Sequence, residues 1–386
     1  MIWKQLDQSN PPLTHRPLTG PAGSNSPNEI KEMRGQFSHI FMITLVLSLS
    51  SCAKTQVSGD GEQEIVMDRL QTKADYPEDG VFGIYAYHLP VPSGSARLES
   101  WKPDVATAYL QNVAFKYYGS VAAGYDTGNG SHRPYYWPLS GSLVFAGYSP
   151  HVDESSAVTA VSLSDNISVG RPENPHIIID FTQNAVPGEM VDLLYFTMMP
   201  KSVSKEDSPV PIAFSRAMSK VSISFKDPNG YYRIRNVRLK DCINQGKFYA
   251  AVESSGWSPV LSGLSDYVLQ EGILQLGDTE AEMPDVLPLP QFLDGFYSTL
   301  GAGTGKGVSL AFDLVDKTDE NFHTEMEMKL FPHEDGEGNV VNASLPSRWQ
   351  MGMHYTYVFT IEADPIEFDS PSVTVVAYEE ETPDTI

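Results

Sequence analysis

The feature that most restricts the fold is a series of short apolar or alternating runs, separated by residues typical of turns. No stretch sustains a helical period over three turns, although residues 104–112 are compatible with a short helix. Nine runs have the length and the β-branched or aromatic content of strands: 81–87, 143–148, 176–181, 191–197, 221–225, 232–239, 308–315, 356–361 and 373–378. Many short strands at this spacing predict an all-β chain built from antiparallel sandwiches.

Turn and linker signals divide these strands into two groups. Residues 228–230, 303–307 and 335–339 are rich in Gly, Asn and Asp, and we interpret them as hairpin turns. Residues 201–211 are charged and contain proline, as a connection between domains does. We therefore expect an N-terminal β-sandwich at 65–205 and a C-terminal β-sandwich at 210–380.

Charge limits the class of partner. The chain of 386 residues has 26 basic and 49 acidic side chains, a formal net charge of −23. Phosphate binding requires a clustered positive surface, so we expect no nucleic-acid partner. Apolar residues make up 41% of the chain, which is enough for a packed core.

The N-terminus carries a targeting signal. Residues 40–49 are apolar and follow Lys31 and Arg34. Ten residues span about 15 Å as a helix, half of the hydrocarbon core of a bilayer, so the run has the length of a secretory signal and not of a membrane span. It ends in Leu49-Ser50-Ser51-Cys52, which resembles the lipobox of bacterial lipoproteins. We expect 1–51 to be a signal peptide, Cys52 to carry the lipid, and 52–64 to be a polar tether. The alternative is a buried helix followed by an ordinary cysteine.

The start of this signal is itself open to interpretation. Residues 1–32 contain five prolines, which a signal peptide does not need, whereas a start at Met33 gives a signal of ordinary proportions. The mature chain begins at Cys52 in both cases. Two or more acyl chains would hold it on a membrane without a spanning helix.

Segments spread over nearly all of the mature chain resemble the fimbrillins, the lipoprotein pilus subunits of Bacteroidales-type bacteria. Each segment is weakly specific, and their order and spacing together carry the resemblance. They are Thr72-Lys73-Ala74 and residues 80–87, 135–138, 143–150, 192–195, 212–214, 219–221, 287–291, 349–352 and 354–357.

This resemblance implies a fold, a location and a mode of assembly. Fimbrillins consist of two transthyretin-like antiparallel sandwiches, and they are lipidated and exported to the outer membrane. In members that polymerise, a trypsin-like protease cuts after a basic residue just downstream of the first strand. Loss of that strand opens an apolar groove, which the terminal strand of another subunit fills by β-strand addition.

Carried over to this chain, the removed strand is 64–70 and the bond cut is Lys73–Ala74. Family members usually have Arg where Lys73 stands, so an arginine-specific protease would cut poorly here. Three options follow: a protease that accepts lysine, a cut at Arg69–Leu70, or no cut, with Lys73 an ordinary surface lysine. An uncut subunit would stay anchored by its lipid, as a pilus base or a relative that does not polymerise.

The resemblance places the donor strand at 371–378. Val373, Val375 and Ala377 would face one side of this strand. The alternative is that it is simply the last strand of the chain's own C-terminal sandwich.

The segments that resemble motifs for catalysis, metal binding or cofactor binding lack residues that those motifs require. Residues 301–307 lack the first glycine and the final Ser or Thr of a phosphate loop, and 335–339 lack the Gly and Glu of an EF-hand. The histidines are scattered, and Cys242 is most simply a buried thiol. We expect no catalytic residue, no metal and no cofactor.

The function predicted from the sequence is a structural or adhesive fimbrial subunit at the cell surface, not an enzyme. Its partners would be other fimbrial subunits, the same chain or a paralogue, and host or bacterial surface ligands. The alternative is an outer-membrane lipoprotein that binds glycans, with Tyr135-Tyr136-Trp137 as a stacking platform; a packed strand entrance is the simpler interpretation of these aromatics. Whether the subunit forms stalk, tip or anchor stays open.

Overall fold

The computed structural model describes most of the chain that follows the predicted signal peptide. The described residues are 63–69, 80–89, 108–152, 161–163, 176–197, 202–251, 255–258, 262–295, 307–321, 323–334, 337–361 and 371–377. All of them belong to one compact unit, Gly59–Ile386. The other unit, Met1–Ser58, holds the predicted signal peptide and Cys52 and lies outside the described residues.

Strands dominate the described residues, which confirms the all-β prediction. Two short 3₁₀ turns lie among the described residues, Pro187–Glu189 and Lys205–Asp207. No described helix is long and apolar enough to cross a membrane. The strands are β1 (Met67–Arg69), β2 (Val81–Leu89), β3 (Ala108–Tyr118), β4 (Val121–Asp126), β5 (Ser131–His132), β6 (Ser142–Ser149), β7 (Val161–Leu163), β8 (His176–Thr182), β9 (Leu194–Thr197), β10 (Val210–Ile212), β11 (Ser215–Arg216), β12 (Lys220–Lys226), β13 (Tyr232–Ala251), β14 (Gly256–Trp257), β15 (Ser262–Gln270), β16 (Leu274–Gln275), β17 (Ala281–Glu282), β18 (Ser309–Asp316), β19 (His323–Lys329), β20 (His333–Glu334), β21 (Val340–Val341), β22 (Met353–Thr360) and β23 (Ser372–Ala377).

The largest sheet has nine strands in the order β10-β1-β4-β3-β2-β6-β9-β11, with β5 added to β4. Its two end strands, β10 and β11, are separated in the chain by only Ala213 and Phe214. Because an extended residue spans at most about 3.6 Å, the two ends must lie close together and the sheet curls around the core that it encloses.

The middle of this sheet is buried on both faces. In β2, Phe82 and Ile84 face the enclosed core, whereas Tyr85 and Tyr87 face a second core on the other side. Strand β6 alternates in the same way. A strand covered on both faces needs apolar residues at every position, which explains the unbroken apolar runs at 81–87 and 143–148.

An eight-stranded sheet packs against this second core. Its order is β19-β18-β13-β8-β7, and the 20-residue strand β13 also pairs with β14, β15 and β16. Strand β8 pairs with β13 at seven positions, from Gln245↔Thr182 to Ala251↔His176. Pairing therefore links the two halves of the chain across the boundary predicted at 205–210. The division into two sandwich domains stays a prediction.

The remaining core lies between this sheet and a four-stranded sheet with the order β17-β12-β22-β23. Strands β12 and β22 run parallel. The only other parallel pair among the described strands is β1–β10, and the other described pairings are antiparallel.

Two local predictions are wrong. Residues 108–112 belong to strand β3 and not to a helix, because Ala108 and Leu110 pair with β2 and Leu110 enters the enclosed core; residues 104–107 lie outside the described part. Residues 228–230 form a turn, but no hairpin, since β12 and β13 lie in different sheets. The buried carboxylate of Asp227 accepts bonds from the amides of Asn229, Gly230 and Tyr232 and holds this corner.

Candidate strand-exchange site

The predicted removable segment is an inner part of the nine-stranded sheet. Strand β1 lies between β10, to which it is parallel, and β4, to which it is antiparallel. Met67 is the centre of this arrangement, because it pairs with Val210 on one side and with Ala122 on the other. Removing the segment would leave both neighbouring strands with an unpaired edge.

Main-chain bonds extend this pairing upstream of β1, into the end of the predicted tether. Glu64 forms an isolated bridge with Tyr136. The hydrogen bonds run from Ile65 N–H to Tyr135 O at 2.7 Å, from Trp137 N–H to Gln63 O at 3.0 Å and from Val210 N–H to Val66 O at 2.8 Å. The segment 63–69 is therefore held along its length and not only at β1.

The two faces of the segment differ. Ile65 and Met67 are fully buried in the enclosed core, where each contributes roughly 1.5–3 kcal/mol of burial energy. The other face carries Glu64, whose Oε1 lies 2.5 Å from His132 Nε2. The alternation of apolar and polar residues is that of a strand with one buried face, so its removal would open an apolar slot.

The predicted cleavage and lipid residues are only partly within the described structure. Arg69 ends β1, and its backbone pairs with Ile212. Cys52, Leu70, Lys73 and Ala74 lie outside the described residues, so their roles stay predictions.

The predicted donor strand lies at the edge of the four-stranded sheet. Strand β23 pairs antiparallel with β22, and no described strand pairs with its other edge. Val373, Val375 and Ala377 stand opposite Tyr357, Tyr355 and Met353, so they share the core-facing side. Val373 packs against the core, whereas Val375 is 43% exposed. In this chain β23 is the last strand of its own sheet; whether it also serves as a donor stays a prediction.

The aromatics considered as a glycan platform are packed. Trp137 is only 6% exposed and meets the Phe145 ring edge-on at 5.9 Å. Tyr135 stacks on Phe115 at 6.1 Å. Trp137 therefore has no free face for a sugar ring. Cys242 is buried, as expected, and burial raises the pKa of its thiol well above the ordinary value.

One polar cluster was not predicted from the sequence. On the four-stranded sheet, Ser222 Oγ donates to Asp285 Oδ1 at 2.5 Å and lies 2.7 Å from His354 Nε2. The three residues are far apart in the chain and form no motif. The register of β12 and β22 brings Ser222 to His354, and the bridge between Val221 and Val286 brings Asp285 beside them.

The order of the hydrogen bonds among Ser222, His354 and Asp285 does not suit nucleophilic catalysis. In a catalytic triad the histidine lies between the serine and the carboxylate and takes the serine proton. Here the serine lies between the other two, and its proton points to Asp285, so His354 is not oriented as its base. No group of His, Cys, Asp or Glu among the described residues has the arrangement of a metal site.

The family model described as fimbrillin-like matches residues 81–375. This range begins at β2 and ends within β23. The chain belongs to the fimbrillin-like family. Membership confirms the resemblance seen in the sequence and supports a fimbrial or adhesive role at the cell surface.

Solved structures with the same fold come from related sources. A fimbrial protein from Bacteroides vulgatus is 15% identical with a TM-score of 0.52, and the match covers 82% of this chain and 99% of that protein. A candidate cell adhesion protein from Bacteroides uniformis is 12% identical with a TM-score of 0.50, at the same coverage. No curated protein matches the chain. At these identities the likeness to solved structures supports the fold alone.

Proposed function

We propose that this fimbrillin-like chain is a fimbrial subunit, lipidated at Cys52 and held at the outer membrane, that assembles by strand exchange. The observation that carries the proposal is the position of residues 63–69. A short N-terminal segment lies between β10 and β4 with Ile65 and Met67 fully buried, so a single cut downstream would make a core strand removable.

The slot left by this segment suits an incoming strand. Both walls would present unpaired backbone N–H and C=O groups, which an added strand would satisfy. The floor would be apolar and would select side chains at alternate positions. Before the cut the segment itself covers this edge, which protects the subunit from premature pairing.

Strand β23 is the candidate donor because it is weakly held. Among the described strands it has one neighbour, whereas β1 has two. Leaving the sheet would expose one partly buried valine, Val373, since Val375 and Val376 are 43% and 37% exposed already. Val373 and Val375 are smaller than Ile65 and Met67, so a paralogous subunit with larger side chains would fill this slot more completely than a second copy.

The bond Lys73–Ala74 is the better candidate for cleavage. Arg69 pairs with Ile212, so a cut at Arg69–Leu70 requires the end of the ladder to open first. Lys73 lies four residues further along the chain than Arg69, so a cut after it does not require the described pairs of the ladder to open.

The intact mass of the protein from the outer-membrane fraction tests this proposal. A mature N-terminus at Ala74 or Leu70 is expected, and Lys73→Arg should speed its formation by an arginine-specific protease. Lys73→Gln with Arg69→Gln is the matched uncleavable variant. A lipid-bearing Cys52 terminus as the sole species would contradict assembly by this route.

The donor role is tested by self-association of the cleaved protein. Val375→Asp should abolish it, because a charge would enter the apolar slot. Thr374→Asp is the control, since Thr374 is exposed and stands on the opposite face of β23. Equal loss in both variants would mean that β23 does not enter the slot with Val375 inward.

A further inference from the structure

The ladder of backbone hydrogen bonds between β12 and β22 has a geometry suited to resisting a pulling force. These strands are parallel and pair at seven consecutive positions, from Lys220↔His354 to Lys226↔Thr360. The neighbours of β22 in the sheet are β12 and β23. If β23 is donated to another subunit, as proposed above, β12 is the described strand that still holds β22.

The chain connects this ladder to the slot on one side and to the proposed donor strand on the other. Strand β10 is one wall of the slot. Residues 213–219 join it to the N-terminal end of β12 and include the two-residue strand β11, which pairs with β9. The C-terminal end of β22 leads within a dozen residues to Ser372, the start of the donor strand. Tension from a strand held in the slot thus arrives at Lys220, and tension from the donated strand arrives at Thr360.

Tension at these two points pulls parallel strands from opposite ends. Lys220 and Thr360 lie at opposite ends of the ladder, because Lys220 pairs with His354 and Thr360 pairs with Lys226. The strands must then slide past each other, and all the ladder bonds share the force. If both strands were pulled at the same end of the ladder, the hydrogen bonds would break one after another.

We propose that the β12–β22 ladder is a shear clamp that carries tension from one fimbrial subunit to the next. This inference rests on the proposed strand exchange only for the direction of the force. The clamp itself is a property of the folded single chain.

The surroundings of the ladder strengthen it. On the core side, Val221, Ile223 and Phe225 pair with Tyr355, Tyr357 and Phe359, and all six are at most 3% exposed. Water therefore cannot easily replace a stretched bond from this side. The Phe225 and Phe359 rings stack at 5.2 Å.

The outer face adds a polar link between the same two strands. Ser222 Oγ on β12 lies 2.7 Å from His354 Nε2 on β22, and Ser222 is anchored to Asp285. The cluster that does not suit catalysis thus has a structural role, since it ties the pulled end of β12 to the strand beside it.

Single-molecule force spectroscopy on the full chain tests the clamp. With Cys52→Ser as the background, handles are attached at Ala213→Cys and Glu362→Cys, which loads the two strands from opposite ends. The matched control attaches them at Ala213→Cys and Gln350→Cys, which loads both strands at their N-terminal ends. Cys242 is buried and does not compete for the handles.

The opposite-end pair should rupture at a force at least about twice that of the same-end pair, because ladder bonds break together and not in sequence. Urea unfolding of both handle variants should give the same midpoint, so the difference is one of geometry. Equal rupture forces would overturn the clamp. A high rupture force together with a lipid-bearing Cys52 terminus as the sole species from the outer-membrane fraction would contradict the strand exchange and leave the clamp standing.

Discussion

Replacing Met67 with Ala should loosen the N-terminal segment while the rest of the chain stays folded. Met67 is fully buried, and a buried Met→Ala change costs about 2–5 kcal/mol. The segment 63–69 is short and continuous, so this loss should favour local release over global unfolding. Local release is the same event that strand exchange requires after cleavage.

Amide hydrogen exchange measures this release directly. The Val210 amide donates to Val66 O and the Trp137 amide donates to Gln63 O, so both become free when the segment leaves. At tenfold per 1.4 kcal/mol, the lower end of the expected cost accelerates exchange at both amides by about 30-fold. The Val221 amide, bonded to Val286 O, reports on the four-stranded sheet and should not change.

Val66→Ala is the matched control on the same segment. Val66 is half-buried and alternates to the outer face, so its truncation should cost less than about 1 kcal/mol and accelerate exchange less than tenfold. Unchanged exchange at Val210 and Trp137 in Met67→Ala would refute the reasoning. Equal acceleration at Val221 would also refute it, because the segment would then not leave separately.

Three further outcomes are expected. In a Cys52→Ser chain, Cys242 should resist alkylation at pH 8 until urea is added, because burial raises its thiol pKa; rapid labelling of the native chain, read by intact mass, would contradict its burial. Gly124→Ala should destabilise the chain by about 1–3 kcal/mol in urea unfolding, since a Cβ there would lie 2.0 Å from a backbone oxygen, whereas Gly188→Ala meets no atom within 4 Å and should be neutral. Burial raises the pKa of Tyr87 from 10.0 to about 12 and also raises the pKa values of Tyr85, Tyr267 and Tyr357, so the folded state keeps protons that the unfolded state loses. The free energy of unfolding should therefore fall as the pH rises from 10 through 12, and a constant value there would show that these tyrosines are not buried.

Strand existence could be predicted from the sequence because it depends on local composition. The run at 143–148 lies within β6, and the run at 373–378 corresponds to β23 with its ends shifted by one residue. Boundaries were less certain where the chain enters a strand gradually, as at 191–197, of which only Leu194–Thr197 is paired. Strand β3 could not be predicted because its alternation is interrupted at Asn112, which has a positive φ. Leu110 enters the enclosed core on one side of this irregularity, and Phe115 and Tyr117 enter it on the other.

The candidate site could be placed from the sequence only by resemblance. Nothing in residues 63–69 shows that they lie between β10 and β4, since these partners are more than 50 residues away in the chain. The resemblance did indicate a removable first strand and a final strand with apolar alternate positions. The Ser222–His354–Asp285 cluster had no such signal.

The sequence by itself determined the all-β class and the apolar alternation of the strands, because turn residues and side-chain periodicity act over a few residues. It indicated the family through the resemblance of segments spread along the chain. Only the tertiary structure decided which strands are neighbours. Pairing of β8 with β13 and parallel pairing of β12 with β22 join segments that are far apart in the chain, and their register depends on which buried faces fit together. For that reason the segment proposed to be removable, the edge strand β23 and the β12–β22 ladder become one system only in the folded chain.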